Sequence, residues 1–370
     1  MGAILMKQKA RDLGLNFSGH PGPHNAITDI PGLKVGYSTL NQSSSTNYPK
    51  VQTGVTAILP RGHTPEPAYL WAGQHTLNGN GEMTGCHWIQ DAGYFISPIS
   101  ITNTHSVGAV HQSVVKWMIN QYPDFFQQQR NFVMPVVAET CDAILNDING
   151  CHVKEKHVME ALNSATDGPI AEGNVGGGNG MITYEFKGGT GTSSRVIQIG
   201  GKDYTVGVLV QSNFGARQDL SILGVPVGQH LTEDTILSQL QQNEFGSIIV
   251  IIATDAPLIP TQLNRVAKRA SLGIARTGTI GGHSSGDIFM AFSTANAMTQ
   301  EPVTDGLRQL TMVDDSHLDL IYRATRDAVE ESIINAMIAG ETSSAFKPEG
   351  MVIKAIDHQA LMDLMKQYSR

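Results

Sequence analysis

One short apolar run constrains the fold of this chain more than any other feature of its sequence. Residues 248–252 read Ile-Ile-Val-Ile-Ile, and they lie between the pair Gly246-Ser247 and a stop marked by Pro257. An unbroken β-branched run of this length is typical of a strand buried on both faces. The sequence therefore predicts a core strand with Ser247 at its N-terminal end.

The Gly-Ser pair itself has two interpretations. If the bond between Gly246 and Ser247 were cut, Ser247 would carry both a nucleophilic hydroxyl and a free amine. Gly-Ser pairs are also ordinary loop punctuation, and the dipeptide alone favours that simpler interpretation. Other segments of the sequence are needed to distinguish the two interpretations.

Composition and charge limit the classes of protein to which this chain can belong. A chain of 370 residues with 41% hydrophobic and 16% charged residues is typical of a globular protein with a sizeable core. Its net charge of -8 argues against a nucleic-acid partner. No run reaches the roughly 18 apolar residues of a membrane span, and residues 1–11 lack the apolar centre of a secretion signal. We therefore expect a cytoplasmic protein with no nucleic-acid or membrane partner.

The cysteines and histidines give no sign of a metal site or of a disulfide framework. The three cysteines, Cys86, Cys141 and Cys151, lack the paired spacing of metal ligands. The 13 histidines are scattered, without a His-Glu-x-x-His motif. We expect neither a metal nor another cofactor.

The apolar spacing along the chain predicts alternating helices and strands in a single intertwined domain, residues 1–370, because no repeat or linker interrupts it. Residues 318–339 form the longest helical pattern, and Glu330 and Glu331 on it are expected to face solvent. Two glycine-rich blocks are expected to form tight turns between strands. The other predicted segments are helices at 107–118, 153–165 and 262–272, strands at 33–37, 54–60, 98–104, 131–138, 204–210 and 286–296, and turns at 173–180 and 187–195.

Two segments carry further candidate chemistry. The stretch Glu139–Asp147 follows a predicted strand and is rich in acidic and amide side chains, which suit either helix caps or a pocket that receives a cation. The stretch Gly282–Gly286 matches the Gly-x-Ser-x-Gly elbow, which would make Ser284 a nucleophile. That motif requires a strand before the serine and a helix after it, and the surrounding residues favour neither.

Taken together, these segments resemble the DmpA-type aminopeptidases, the family of L-aminopeptidase/D-esterases and β-peptidyl aminopeptidases. The resemblance spans nearly the whole chain, and many collinear matches are more specific than any one of them. The segments that carry it are residues 25–32, 78–84, 102–104, 139–142, 210–215, 246–247, 255–257 and 285–287.

The resemblance implies both a fold and a processing step. The fold is an α/β, αββα four-layer sandwich of the DmpA/ornithine acetyltransferase type, similar in its layers to N-terminal-nucleophile hydrolases but differently connected. The precursor would cut itself between Gly246 and Ser247 into an α chain, 1–246, and a β chain, 247–370. Relatives assemble as homo-oligomers of such αβ units.

The resemblance also assigns the nucleophile and its helpers. Ser247 would attack with its own α-amine as base, because an α-amino group has a pKa of about 7.7–8.0 and is partly unprotonated near neutral pH. Ser285 and Asp287 would orient that amine. At Asp287 the relatives carry Glu, which is one methylene longer.

The remaining site residues concern the substrate. Asn213 would donate its amide N–H to the tetrahedral oxyanion. The family's second oxyanion donor is a Tyr, whereas this chain has Cys141, whose thiol donates weakly. Glu139 would hold the free amine of the substrate.

The activity implied is that of an autoprocessed serine aminopeptidase. It would release N-terminal residues, including D- or β-amino types, from short peptides, amides or esters through an acyl-enzyme. One alternative is an ornithine acetyltransferase-like acyltransferase, although those relatives use a Thr nucleophile and this chain has Ser247. The other is an inactive structural relative, for which Cys141 is the only support.

Overall fold

The computed structural model describes residues 7–45, 49–127, 131–240, 246–299 and 306–369. Within these ranges the strands are β1 (Lys34–Gln42), β2 (Val51–Leu59), β3 (Leu70–Gly79), β4 (Tyr94–Phe95), β5 (Ile99–Asn103), β6 (Val136–Thr140), β7 (Ile182–Thr183), β8 (Phe186–Lys187), β9 (Gly189–Ile199), β10 (Lys202–Asn213), β11 (Ser247–Thr254), β12 (Gly286–Ser293), β13 (Ser343–Ser344) and β14 (Val352–Ile353). The α-helices are α1 (Cys86–Ala92), α2 (Val107–Gln121), α3 (Pro123–Gln127), α4 (Glu155–Asn163), α5 (Val227–His230), α6 (Leu237–Leu240), α7 (Pro260–Ala275), α8 (Leu318–Ile338) and α9 (His358–Gln367).

Two sheets form the centre of the protein. One has the strand order β1-β2-β5-β6, and the other has the order β4-β3-β12-β11-β10-β9. In the larger sheet β11 pairs antiparallel with β10 on one side and parallel with β12 on the other. The predicted core strand is therefore internal to its sheet, with a partner along each edge.

The sheets lie face to face, and helices cover their outer faces. Helices α7 and α8 pack against the six-stranded sheet, while α2 and α4 pack against the four-stranded one. Strand β11 serves two cores, since Ile248, Val250 and Ile252 join the helix-side cluster, whereas Ile249 and Ile251 join the cluster between the sheets. Both the doubly buried strand and the αββα sandwich are thus confirmed.

The second glycine-rich block, residues 187–195, does not form the expected turn. Residues 189–199 form strand β9 rather than a turn. Glycine is needed there for packing, because a β-carbon on Gly191 would lie 1.9 Å from the main-chain oxygen of Ser332 in α8. The first block contains a buried 3₁₀ segment at Gly176–Gly180.

The expectation that Glu330 and Glu331 face solvent is wrong. Helix α8 is packed on several sides, and Glu331 is fully buried. Its carboxylate accepts hydrogen bonds from Arg195 Nη2 at 2.6 Å and Arg11 Nε at 2.8 Å, and also from Asn25. These partners lie far from α8 in sequence, so the helical pattern carried no sign of them.

No helix within the described ranges is both long enough and apolar enough to cross a lipid bilayer.

We expect the buried Glu331 network to be essential for stability. In the Glu331→Gln variant the guanidinium of Arg195, itself 1% exposed, loses its charged partner. Breaking a buried ion pair in this way should lower the free energy of unfolding by about 3–5 kcal/mol. Urea denaturation followed by circular dichroism measures the change.

Glu155→Gln is the matched control, because Glu155 pairs with Lys116 and both side chains are about half exposed. Exposed pairs contribute about 0–1 kcal/mol. Equal losses in the two variants would contradict the role given to Glu331.

Candidate active site

The candidate nucleophile lies at the end of the central strand. Ser247 is the first residue of β11, opposite Asn213 of β10 and Gly286 of β12. The preceding Gly246 has a φ of 139°, in the region that favours glycine, and a β-carbon there would lie 2.0 Å from the main-chain oxygen of Asn213. The position of Gly246, directly before the serine, therefore has no room for a side chain.

The Ser247 hydroxyl lies beside the peptide group that joins Gly246 to Ser247. The Ser247 hydroxyl donates a hydrogen bond to the carbonyl oxygen of Gly246 at 2.7 Å. The main-chain N–H of Gly286 lies 3.2 Å from that carbonyl oxygen and 3.2 Å from Ser247 Oγ. A hydroxyl, a peptide carbonyl and a main-chain donor thus meet at one point.

Strand β12 brings the two expected amine-orienting residues next to this point. The Ser285 hydroxyl donates to Asp287 Oδ1 at 2.6 Å, and Asn78 Nδ2 donates to Asp287 Oδ2 at 2.9 Å. Burial raises the pKa of Asp287, while these hydrogen bonds and one from the Ile248 N–H act in the opposite direction. Both oxygens of the carboxylate are therefore fixed in place.

Asn78 is a residue that the sequence did not single out. Its signal was the polar Asn-Gly-Asn-Gly-Glu run at residues 78–82, which belongs to the family resemblance but gave no role to any single side chain. In the structure, Asn78 and Gly79 are the last two residues of β3, and they pair with Asp287 and Gly286 at the start of β12.

Asn213, the expected oxyanion donor, is held at both ends of its amide. Its Oδ1 accepts a hydrogen bond from the main-chain N–H of Ile182 at 2.8 Å, and its Nδ2 donates to the carbonyl oxygen of Cys141 at 2.9 Å. An amide nitrogen carries two N–H groups, so this contact engages one of them. Cys141 therefore contacts Asn213 through its backbone.

Glu139 and Cys141 lie at the end of β6. The Glu139 carboxylate accepts a hydrogen bond from the Glu82 main-chain N–H at 2.9 Å and another from the Thr104 hydroxyl. Burial raises the pKa of Glu139. Glu139 belongs to a strand, so helix capping, one of the two interpretations of the acidic stretch, does not apply to it.

The elbow interpretation of Ser284 has no structural basis. Ser284 lies in a turn that is followed by strand β12, whereas the elbow requires a helix after the serine. Among the described residues, no three His, Cys, Asp or Glu side chains cluster as metal ligands do.

Comparison with known proteins gives the family. The model of peptidase family S58 matches residues 25–350. The chain is 47% identical to the β-peptidyl aminopeptidase BapA of Sphingosinicella microcystinivorans, over 98% of this chain and 93% of that protein.

Two solved structures are similar over nearly the full length. The L-aminopeptidase D-Ala-esterase/amidase of Ochrobactrum anthropi, a prototype for the serine aminopeptidases and a variant of the Ntn hydrolase fold, superposes with a TM-score of 0.92 at 50% identity, covering 98% of this chain and 99% of that one. A β-aminopeptidase of a Burkholderia species gives a TM-score of 0.88 at 43% identity, with 97% and 99% covered. The chain therefore belongs to peptidase family S58, and it is a serine aminopeptidase with a variant of the Ntn hydrolase fold.

Proposed function

We propose that the chain cuts itself between Gly246 and Ser247 and that Ser247 is the nucleophile of both the cleavage and the peptidase reaction. In the cleavage, Ser247 Oγ attacks the carbonyl carbon of Gly246. The peptide C–N bond breaks, the nitrogen takes up the hydroxyl proton, and water hydrolyses the resulting ester. The observation that carries this proposal is the 2.7 Å contact between the hydroxyl and that carbonyl group, with the Gly286 N–H beside the oxygen that becomes negative.

Cleavage would give Ser247 a free α-amine, which would serve as the base for its own hydroxyl. The new α-amine takes the proton from Ser247 Oγ as the hydroxyl attacks the first carbonyl of the substrate, and the leaving amine then receives that proton. Water, activated by the same amine, hydrolyses the acyl-enzyme ester. Ser285 and Asp287 hold the amine in place, and the fixed Asp287 carboxylate supports this role.

Asn213 and Cys141 would stabilise the oxyanion together. Asn213 donates an amide N–H to the negative oxygen, and Cys141 contributes through its carbonyl group, which fixes the orientation of that amide. A thiol is a weak hydrogen-bond donor, so the side chain of Cys141 adds little.

Glu139 would bind the ammonium group of the substrate. Its carboxylate is 3% exposed and its pKa is raised by burial, so a cation beside it would stabilise its charged form. The relatives are a β-peptidyl aminopeptidase and an L-aminopeptidase D-Ala-esterase/amidase. We therefore assign this chain short peptides, amides or esters with a free L-α, D-α or β-amino group.

We also propose that the αβ units form a cytoplasmic homo-oligomer. The described cysteines are unpaired, which suits a reducing compartment. Large apolar side chains such as Phe132, Ile280 and Leu307 are more than 70% exposed and are candidates for burial between units.

Replacing Ser247 by Ala tests the nucleophile. The variant should remain a single chain of 39.8 kDa on denaturing electrophoresis and should release no p-nitroaniline from aminoacyl p-nitroanilides, because it lacks the attacking oxygen. Ser284→Ala is the matched control, and it should be cleaved and active like the unaltered protein. Loss of cleavage in the Ser284 variant alone would overturn the assignment.

Glu139→Gln separates substrate binding from self-cleavage. A hydrogen bond to a charged group contributes about 1.5–3 kcal/mol, so kcat/KM for aminoacyl p-nitroanilides should fall about 10–100-fold. Self-cleavage should continue, since the precursor presents no free substrate amine. Unchanged kinetics would exclude Glu139 as the ammonium-binding group.

Replacing Asn213 should lower kcat much more than replacing Cys141. Asn213→Ala should lower kcat by about 10²–10³, the usual loss for one oxyanion donor. Cys141→Ala keeps the backbone carbonyl that contacts Asn213, so its kcat should stay within about twofold, the effect of roughly 0.5 kcal/mol. If both variants lose activity equally, the Cys141 thiol is itself a donor.

A further inference from the structure

Asn103 holds the residues on both sides of Cys141. Strand β6 ends at Thr140, which pairs with Asn103 at the end of β5. On the other side of Cys141, the Asp142 carboxylate accepts hydrogen bonds from Asn103 Nδ2, at 3.1 Å to Oδ1 and 3.0 Å to Oδ2. Cys141 lies outside the strand, and the two residues that flank it are both bound to Asn103.

Asp142 is enclosed by the protein and held at several points. Asp142 and Asn103 are each 1% exposed, and a buried carboxylate is costly unless it is hydrogen-bonded. A β-carbon on Gly180 would lie 2.8 Å from the Cβ of Asp142, so the first glycine-rich block packs directly against this residue. The Asp142 main-chain oxygen accepts hydrogen bonds from the N–H groups of Leu145 at 3.0 Å and Asn146 at 2.9 Å. Asp142 is therefore fixed through both its side chain and its backbone.

The position of Asp142 restricts the direction of the Cys141 carbonyl group. That carbonyl belongs to the planar peptide unit that joins Cys141 to Asp142, so holding the Asp142 end limits rotation of the whole unit. The Cys141 oxygen accepts the hydrogen bond from Asn213 Nδ2 at 2.9 Å. The contacts thus run without a gap from the Asn103 side chain, through Asp142 and one peptide unit, to the amide assigned to the oxyanion.

We propose that Asp142 is a positioning residue of the peptidase reaction, which orients the Asn213 amide through the carbonyl group of Cys141. This inference rests on the proposed role of Asn213 as oxyanion donor. The N–H of Ile182 holds the other end of the same amide, at Oδ1. Loss of the support from Asp142 should therefore weaken the oxyanion donor without removing it.

Asp142→Ala tests this role. The variant should still cut itself, because the proposed cleavage uses the Gly286 N–H and not Asn213. Its kcat for aminoacyl p-nitroanilides should fall about 10-fold, the scale of one hydrogen bond, while KM stays within about twofold, because the lost contact acts only in the transition state. Asp142→Asn keeps an oxygen that can accept from Asn103, so its kcat should stay within about threefold of that of the unaltered protein.

Asp147→Ala is the matched control. Asp147 belongs to the same acidic stretch, Glu139–Asp147, but its carboxylate pairs with His152 at 3.1 Å and not with Asn103. Its replacement should leave kcat within about twofold of the unaltered value.

A double-mutant cycle separates positioning from a general loss of structure. In a chain that already carries Asn213→Ala, adding Asp142→Ala should change kcat by less than about twofold, because the amide that Asp142 orients is no longer present. If Asp142→Ala does not fold, Asn103→Ala removes the same hydrogen bond from its donor, and the same comparison applies.

The inference would be overturned by an Asp142→Ala enzyme that keeps the unaltered kcat, by an Asp142→Asn enzyme that is as slow as Asp142→Ala, or by a further loss of about 10-fold in the Asn213→Ala background. Each of these results would leave the proposed function intact. An Asn213→Ala enzyme with full kcat would instead contradict the oxyanion role itself, and the inference with it.

Discussion

The site depends on the pairing of three strands. Strand β11 is fixed in register by main-chain hydrogen bonds to β10 and β12, which place Ser247 level with Asn213 on one side and Gly286 on the other. A shift by one residue would turn Ser247 to the opposite face of the sheet and away from these partners. The apolar side chains of β11 oppose such a shift, because they fill one core on each face. The placement of Ser247 between Asn213 and Gly286 therefore derives from the packing of the interior.

The same architecture explains how two separate chains would stay together after cleavage. Strand β10 would belong to the α chain, while β11 and β12 would belong to the β chain, so the larger sheet would be continuous across the break. The buried carboxylate of Glu331 would add contacts from the β chain to Arg11 and Arg195 of the α chain. Cutting one peptide bond removes few of these interactions, and the new amine would remain where the strand holds it.

Much of this arrangement could be predicted from the sequence, because its signals are local. The apolar run of β11 indicated a doubly buried strand, and the collinear segments indicated the family and the layered fold. The burial of Glu331 could not be predicted, since its arginine partners lie 320 and 136 residues away. Gly191 was assigned to a turn because its need for glycine comes from a helix that packs on the strand, more than a hundred residues later.

The central claim is that Ser247 becomes an N-terminal residue. Intact-mass analysis and N-terminal sequencing of the purified protein test it most directly. We expect two chains, the smaller of which begins Ser-Ile-Ile-Val at Ser247. A single persistent chain of 39.8 kDa, or a new N-terminus at any other residue, would contradict it.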